Sequence, residues 1–327
     1  MQKFKKIYML CPPQTESGGP EASHQLVGEM CKLDISANII YYKKRKTIFN
    51  LKGKLDISVK EDVIFTTKYL NPTPNSYYCY SASISNEIID DENNLLILPE
   101  NLLHLVNFGK RIKKAIWWLS IDNALMAISK LQNISVLRSE IFHFYQSEYA
   151  RKFLDLLNFE NSFSLSDYIS EKIISKQDEE VPKEKIVVYN PKKGFEFTKK
   201  LIHLFPEFNF IPLVNMSKDE VCTTLKKASV YIDFGDHPGK DRIPREAALL
   251  GCCVITSKNG SAKFSKDVQI PDEFKFKKNS DNLEPIGRAI YKCIENYSVQ
   301  NAKFDAYRYK IEREKKVFVE EIKLIFL

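Results

Sequence analysis

Ionisable side chains crowd one short stretch of the chain: Asp236, His237, Lys240, Asp241, Arg242, Arg245 and Glu246. Carboxylates and an imidazole held together can relay protons, and clustered ammonium and guanidinium groups can neutralise a phosphate. Asp236 and His237 are therefore candidate catalytic groups, although His237 also suits a loop histidine with no role. Apolar runs of strand type flank the cluster at residues 230–234 and 252–256. Between them Pro244 suits the first turn of a helix, where its missing N–H costs nothing, and Gly251 ends that helix. Strand, loop, helix and strand in this order build a parallel sheet, which holds ligands at the loops following the strands' carboxyl ends. The spacing thus places the cluster where a ligand would lie.

Three other stretches follow the same logic. Residues 6–11 form an apolar strand, and Gly18-Gly19 then opens a helix over about 20–33. Exposed backbone N–H groups and a helix dipole there would cradle phosphate, although a plain strand-to-helix turn has the same signature. Glu16 just before the glycines and His24 one turn beyond them are candidate acceptor contacts. Residues 185–189 are a strand, followed by the loop Asn190-Pro191-Lys192-Lys193-Gly194 and a helix over about 195–205. Residues 115–120 are a strand carrying both tryptophans, and Asp122 follows at its carboxyl end as a candidate base or acceptor contact.

The elements that position these residues alternate strand and helix. Beyond the three stretches, strands are expected at 37–42, 62–66, 95–98, 134–137, 143–146 and 209–214. Helices are expected at 102–114, 147–157 and 217–227, and two helical segments at 282–327. The polar segment 158–184 divides the pattern into two. A length of 327 residues, with 44% hydrophobic and 12% aromatic content, supports two packed cores. The expected fold class is α/β, with two doubly wound domains. The first covers 1–160, with a closing helix at about 305–327 packed back on it; the second covers 161–304.

A net charge of +7 implies a mild pull toward phosphate groups, but its even spread argues against a nucleic-acid partner. Cys11, Cys31, Cys79, Cys222, Cys252, Cys253 and Cys293 form no C-x-x-C pair and read as reduced thiols. The basic start of the chain gives way to Pro12-Pro13 too soon for a signal peptide, and no run is long enough to span a membrane. A cytoplasmic protein is expected. The basic run Lys43-Lys44-Arg45-Lys46 could touch the inner membrane face peripherally, or be a solvated loop.

Two strand–helix domains, Gly18-Gly19 after the first strand and Lys193-Gly194 after the first strand of the second half resemble the GT-B glycosyltransferases. The resemblance covers essentially the whole chain. Its most specific stretch is Arg245-Glu246-Ala-Ala-Leu-Leu-Gly251-Cys-Cys-Val-Ile-Thr256, then Asn259-Gly260. The chain is similar there to the retaining, glycogen-synthase-like group, in which a Glu at this position contacts the donor's ribose. The resemblance implies that Glu246 binds the ribose. It places Gly18, Gly19, Asn190, Lys192, Lys193, Gly194 and Gly260 at the donor nucleotide and phosphates, with Lys240, Asp241, Arg242 and Arg245 around them. A Glu near a helix N-terminus also simply opposes the helix dipole.

The implied activity is metal-independent transfer of a sugar from a nucleotide-sugar to a glycan or lipid-linked acceptor, with retention expected over inversion. A bacterial surface polysaccharide, such as capsule or lipopolysaccharide, is the implied setting. No cofactor is expected beyond the nucleotide-sugar co-substrate: UDP-linked first, CMP- or GDP-linked as alternatives. The family commonly carries a second Glu eight residues before the ribose Glu, where this chain has Pro238. That departure keeps two other readings open, a non-catalytic sugar-nucleotide-binding module and a UDP-sugar epimerase.

Overall fold

A computed structural model describes residues 3–50, 57–65, 71–129, 131, 134–177 and 181–327, with backbone alone at 43–50, 57–65 and 139. The first half runs β1 (Lys6–Cys11), α1 (Gly18–Lys32), β2 (Ala37–Asn50), β3 (Ile57–Phe65), β4 (Asn94–Pro99) and β5 (Lys113–Trp118). It continues with α2 (Ile121–Ile128), α3 (Val136–Ser139), β6 (Ile141–Tyr145), α4 (Glu148–Leu156) and β7 (Ser162–Ser164). A connecting segment carries α5 (Glu171–Ile174). The second half runs β8 (Glu184–Tyr189), α6 (Phe195–Leu204), β9 (Asn209–Pro212), α7 (Lys218–Lys227), β10 (Ala228–Asp233), α8 (Arg242–Leu249), β11 (Cys253–Ser257) and β12 (Lys275–Phe276). The chain closes with α9 (Leu283–Glu295), α10 (Tyr297–Ala302), α11 (Asp305–Glu312) and α12 (Glu314–Phe326).

The strands form two sheets, ordered β3-β2-β1-β4-β5-β6-β7 and β12-β11-β10-β8-β9. Every pairing is parallel except that of β2 with β3. Parallel central strands are covered on both faces, which is why β1, β4 and β5 are continuous apolar runs. Adjacent residues go to opposite faces. Trp117 stacks on Phe318 of α12 with ring centroids 6.4 Å apart, while Trp118 on the other face donates from Nε1 to His143 Nδ1 at 3.0 Å. Phe318, Ile322, Ile325 and Phe326 of α12 share a buried core with β1, α1 and β5.

Several expectations needed correction. The first sheet takes in Ser162–Ser164, past the boundary at residue 160. The segment expected as a helix at 102–114 is a 3-10 segment, Glu100–Asn107, followed by irregular backbone over 108–112 and then β5. The strand expected at 134–137 is replaced by α3, because sheet pairing begins at Ile141. The backbone of the basic run Lys43–Lys46 continues β2 and pairs with β3, which is longer than the expected strand at 62–66. Thr66 lies outside the described residues. The final two segments are four short helices. No helix among the described residues is long and apolar enough to cross a membrane.

The halves meet along a tight seam. Ile121 N–H donates to Pro238 O at 2.7 Å, and Lys240 N–H to Gln146 Oε1 at 3.0 Å. A Cβ on Gly239 would lie 1.8 Å from Leu119 O, so only glycine permits this approach. Asp267 accepts from the N–H groups of Glu148 and Tyr149 at 2.7 and 3.0 Å, capping α4 from the other half.

Candidate active site

Between the sheets lies a cleft of about 900 Å³. Gly18, Gly19, Glu21, Tyr42, Glu100, Leu119 and Asn123 line it from the first half, and Lys193, Lys218, Asp241, Arg242 and Glu246 from the second. It opens at the carboxyl ends of the strands, where parallel sheets bind ligands.

The loop after β10 is folded around His237, whose backbone is left-handed (φ 48°) and whose ring is fully buried. Its Nδ1 lies 2.9 Å from Asp241 Oδ2, and its Nε2 lies 3.2 Å from Asp233 O. Burial would lower its pKa, but Asp241 and Asp233 outweigh that and raise it. Asp241 is held below the usual carboxylate range, because His237 and Lys193 outweigh its burial. Lys193 Nζ forms an ion pair with Asp241. His237 is therefore a positioning residue, and its expected catalytic contact with substrate is corrected: both ring nitrogens are engaged inside the protein.

Ligand atoms of Asp233, His237 and Asp241 lie within 4.8 Å of one another, close enough for a cation. Asp233 already accepts from Gly235 N–H at 2.9 Å and Tyr231 O–H at 3.0 Å. With His237 also engaged, the three fit a hydrogen-bonded cluster better than a metal centre.

Two glycines support this loop by close packing. A Cβ on Gly194 (φ 61°) would lie 2.0 Å from Phe234 O, and one on Gly260 (φ 48°) 2.0 Å from His237 O. Gly260 thus underlies the loop and does not line the cleft. Asn190 folds its own turn, accepting the Lys192 N–H at 3.0 Å, and Lys192 is exposed away from the cleft.

The basic residues divide into two sets. Arg245 is fully buried, with Nη1 2.7 Å from Glu314 and Nη2 2.8 Å from Asp167. Lys240 Nζ lies 2.7 Å from Glu314. Burial would raise the Asp167 pKa, but Arg245, Lys240 and Arg242 hold it at about 2. Arg245 is thus a counter-ion within the seam, which corrects its placement at donor phosphates. Lys240 answers Glu314 from the cleft lining itself, and Arg242 and Lys193 face the cleft with it. Arg242 Nη2 lies 3.1 Å from Glu21 Oε1, and its Nε lies 3.9 Å from Glu246 Oε1. Burial raises the Glu246 pKa, with Arg242 opposing.

Among the remaining candidates, Asp236 is exposed and paired with Lys278, beside the residues that line the cleft. His24 is buried beneath α1, with Nδ1 2.7 Å from Pro20 O and Nε2 2.9 Å from Tyr41 O–H. It has no free edge for an acceptor. Glu16 is exposed, 3.4 Å from Lys218 Nζ. Asp122 is exposed in the first turn of α2, and its pKa is raised by burial and by Asp236 and Asp241.

Sequence reasoning missed Glu21, Glu100, Asp167 and Lys218. Glu100 directly follows the strand ending at Pro99, so the carboxyl-end rule that selected Asp122 would also have found it. Glu21 lies in the first turn of α1, two residues after the glycine pair. The partners of Asp167 lie far along the chain and leave no local signal.

No family model matches the chain, and no curated protein sequence does. Solved structures do. A mutant of S. aureus TarM, in complex with fondaparinux, alpha-GlcNAc-glycerol and UDP, is 12% identical over 97% of this chain and 99% of its own (TM-score 0.63). Sucrose-phosphate synthase from Thermosynechococcus elongatus is 10% identical over 98% of each chain (TM-score 0.64). The pneumococcal O-GlcNAc transferase GtfA, in complex with UDP and GlcNAc, is 12% identical over 98% of each (TM-score 0.60). The chain shares with them the GT-B fold, two Rossmann-like domains facing across a cleft.

Proposed function

We propose that this GT-B chain is a glycosyltransferase that moves a sugar from a nucleotide-sugar, first of all a UDP-sugar, to a glycan or lipid-linked acceptor. The observation that carries the reading is Glu246 and Arg242, side by side at the start of α8, both facing a cleft also lined by the glycine-opened end of α1. A carboxylate there can accept from ribose hydroxyls. Arg242 and Lys193 can neutralise the diphosphate as negative charge builds on it in the transition state. Side-chain cations and the start of α1 supply that stabilisation in this reading, with no metal required. Retention follows the resemblance at Glu246.

Fold neighbours crystallised with UDP support the donor class, and the complex with fondaparinux, a glycan, agrees with a glycan acceptor. A role in bacterial surface polysaccharide, in the cytoplasm or at the inner membrane face, completes the reading. Incubation with UDP-, GDP- and CMP-sugars and glycan acceptors, followed by nucleotide release and product analysis, tests it. Turnover with a UDP-sugar that needs an acceptor is the expected result. Binding without turnover of any donor would make the chain a binding module, and turnover without an acceptor would make it an epimerase.

A further inference from the structure

Glu100 stands apart from the other cleft carboxylates. It sits at the carboxyl end of β4, and only 5% of its surface is exposed. The cations of the cleft, Lys193, Lys218, Lys240 and Arg242 of the opposite half and Lys172 of the connecting segment, are not among the groups that act on Glu100. The groups on Glu100 are neutral donors: its own backbone N–H, Leu119 N–H at 3.3 Å from Oε2, and the Asn123 side chain. Three such bonds still leave part of a carboxylate's four-lone-pair capacity unused. Burying a carboxyl without a cation is costly, so a fold that keeps one on a ligand cleft points to a use for it. Around it Leu10, Tyr42 and Leu119 supply an apolar wall.

We infer that Glu100 is the acceptor-binding carboxylate of this cleft, receiving a hydrogen bond from a hydroxyl of an uncharged sugar or polyol whose carbon skeleton rests on Leu10, Tyr42 and Leu119. The inference rests on the glycosyltransferase reading and adds to it the acceptor contact and its chemical class. An acidic acceptor would meet this wall with like charge and is disfavoured. Burial pushes the Glu100 carboxyl up to about 7. The side chains facing it are Tyr42 of β2, whose phenol burial pushes up, and Asn123 of α2, so neither titrates near neutrality. Acceptor affinity should accordingly improve as pH rises through about 7, because the ionised carboxylate is the better hydrogen-bond acceptor.

The test uses the full chain with UDP-glucose or UDP-N-acetylglucosamine as donor and p-nitrophenyl glucosides as acceptor probes, reading UDP release and the thermal shift caused by UDP. E100Q should keep the UDP shift, raise the KM for the glucoside by about tenfold and lose the pH dependence. E100D should fall between E100Q and wild type. Wild-type KM and pH profile in E100Q would overturn the inference alone. Loss of the UDP shift in E100Q would make Glu100 a structural residue and also overturn it. A wild-type chain that turns over no donor would overturn the transferase reading, and the inference with it.

Discussion

Arg242 and Glu21 meet across the cleft, one on α8 of the second half and one on α1 of the first, with Nη2 3.1 Å from Oε1. Glu21 also accepts from Tyr80 O–H at 2.6 Å and lies 3.7 Å from Lys218 Nζ. In the proposed reading a carboxylate thus occupies part of the space that the donor's phosphates would claim. Replacing Glu21 by Gln should tighten UDP binding a few-fold by freeing Arg242. Replacing Arg242 by Ala should weaken it by roughly tenfold or more. Calorimetric titration with UDP checks both, and equal weakening by both variants would place the phosphates elsewhere.

Glu246 should contribute to donor affinity more than to folding, since its nearest cation is 3.9 Å away. Glu246→Ala is expected to weaken UDP binding by about tenfold, with a melting temperature close to that of the wild type. Unchanged UDP affinity would remove its ribose role.

Asp167 should govern acid stability. Its pKa is about 2 in the folded protein, below its ordinary 3.8. A depressed carboxylate stabilises the fold above the ordinary value, and that contribution drains away as pH falls from 3.8 toward about 2. Asp167→Asn leaves Arg245 short of a buried counter-ion and should cost about 3–5 kcal/mol. Urea unfolding at neutral and acid pH measures both effects.

Glu100 should act in the opposite sense. Its pKa is raised to about 7 from 4.5, so the folded protein holds a proton that the unfolded chain releases between these values. Its presence therefore lowers stability as pH rises from 4.5 to about 7. Glu100→Gln should be more stable than wild type at about pH 8, by on the order of 1–3 kcal/mol, and the gap should close toward pH 4.5. A constant difference across that range would contradict the shift.

Gly239 should tolerate no side chain. The methyl of Gly239→Ala would collide with Leu119 O, forcing the loop off the first half at a cost of about 1–3 kcal/mol. Lower melting temperature together with reduced turnover is expected. A variant as stable and active as wild type would show that the seam is not rigid.

The alternating strands and helices were legible because parallel strands need unbroken apolar runs, and the glycine positions because they punctuate them. The loop residues were harder to read. Lys240 and Arg245 looked like phosphate clamps because charge near a helix start fits both roles, and their partners Asp167 and Glu314 lie far away in sequence. His237 was marked as important, but nothing local shows that its left-handed backbone turns the ring inward. Lys43–Lys46 read as a solvated loop or a membrane contact, yet its backbone continues β2, because pairing with β3 supplies the backbone hydrogen bonds and overrides the low strand preference of lysine.

Glu314 belongs to α12, whose apolar face packs with the first sheet, while its carboxylate answers Arg245 beneath the loop of the second. The two halves are consequently not detachable modules. A fragment ending before residue 314 would keep the whole second sheet yet leave the buried guanidinium with Asp167 as its one remaining carboxylate partner, so the second half depends for its integrity on a helix that belongs to its neighbour.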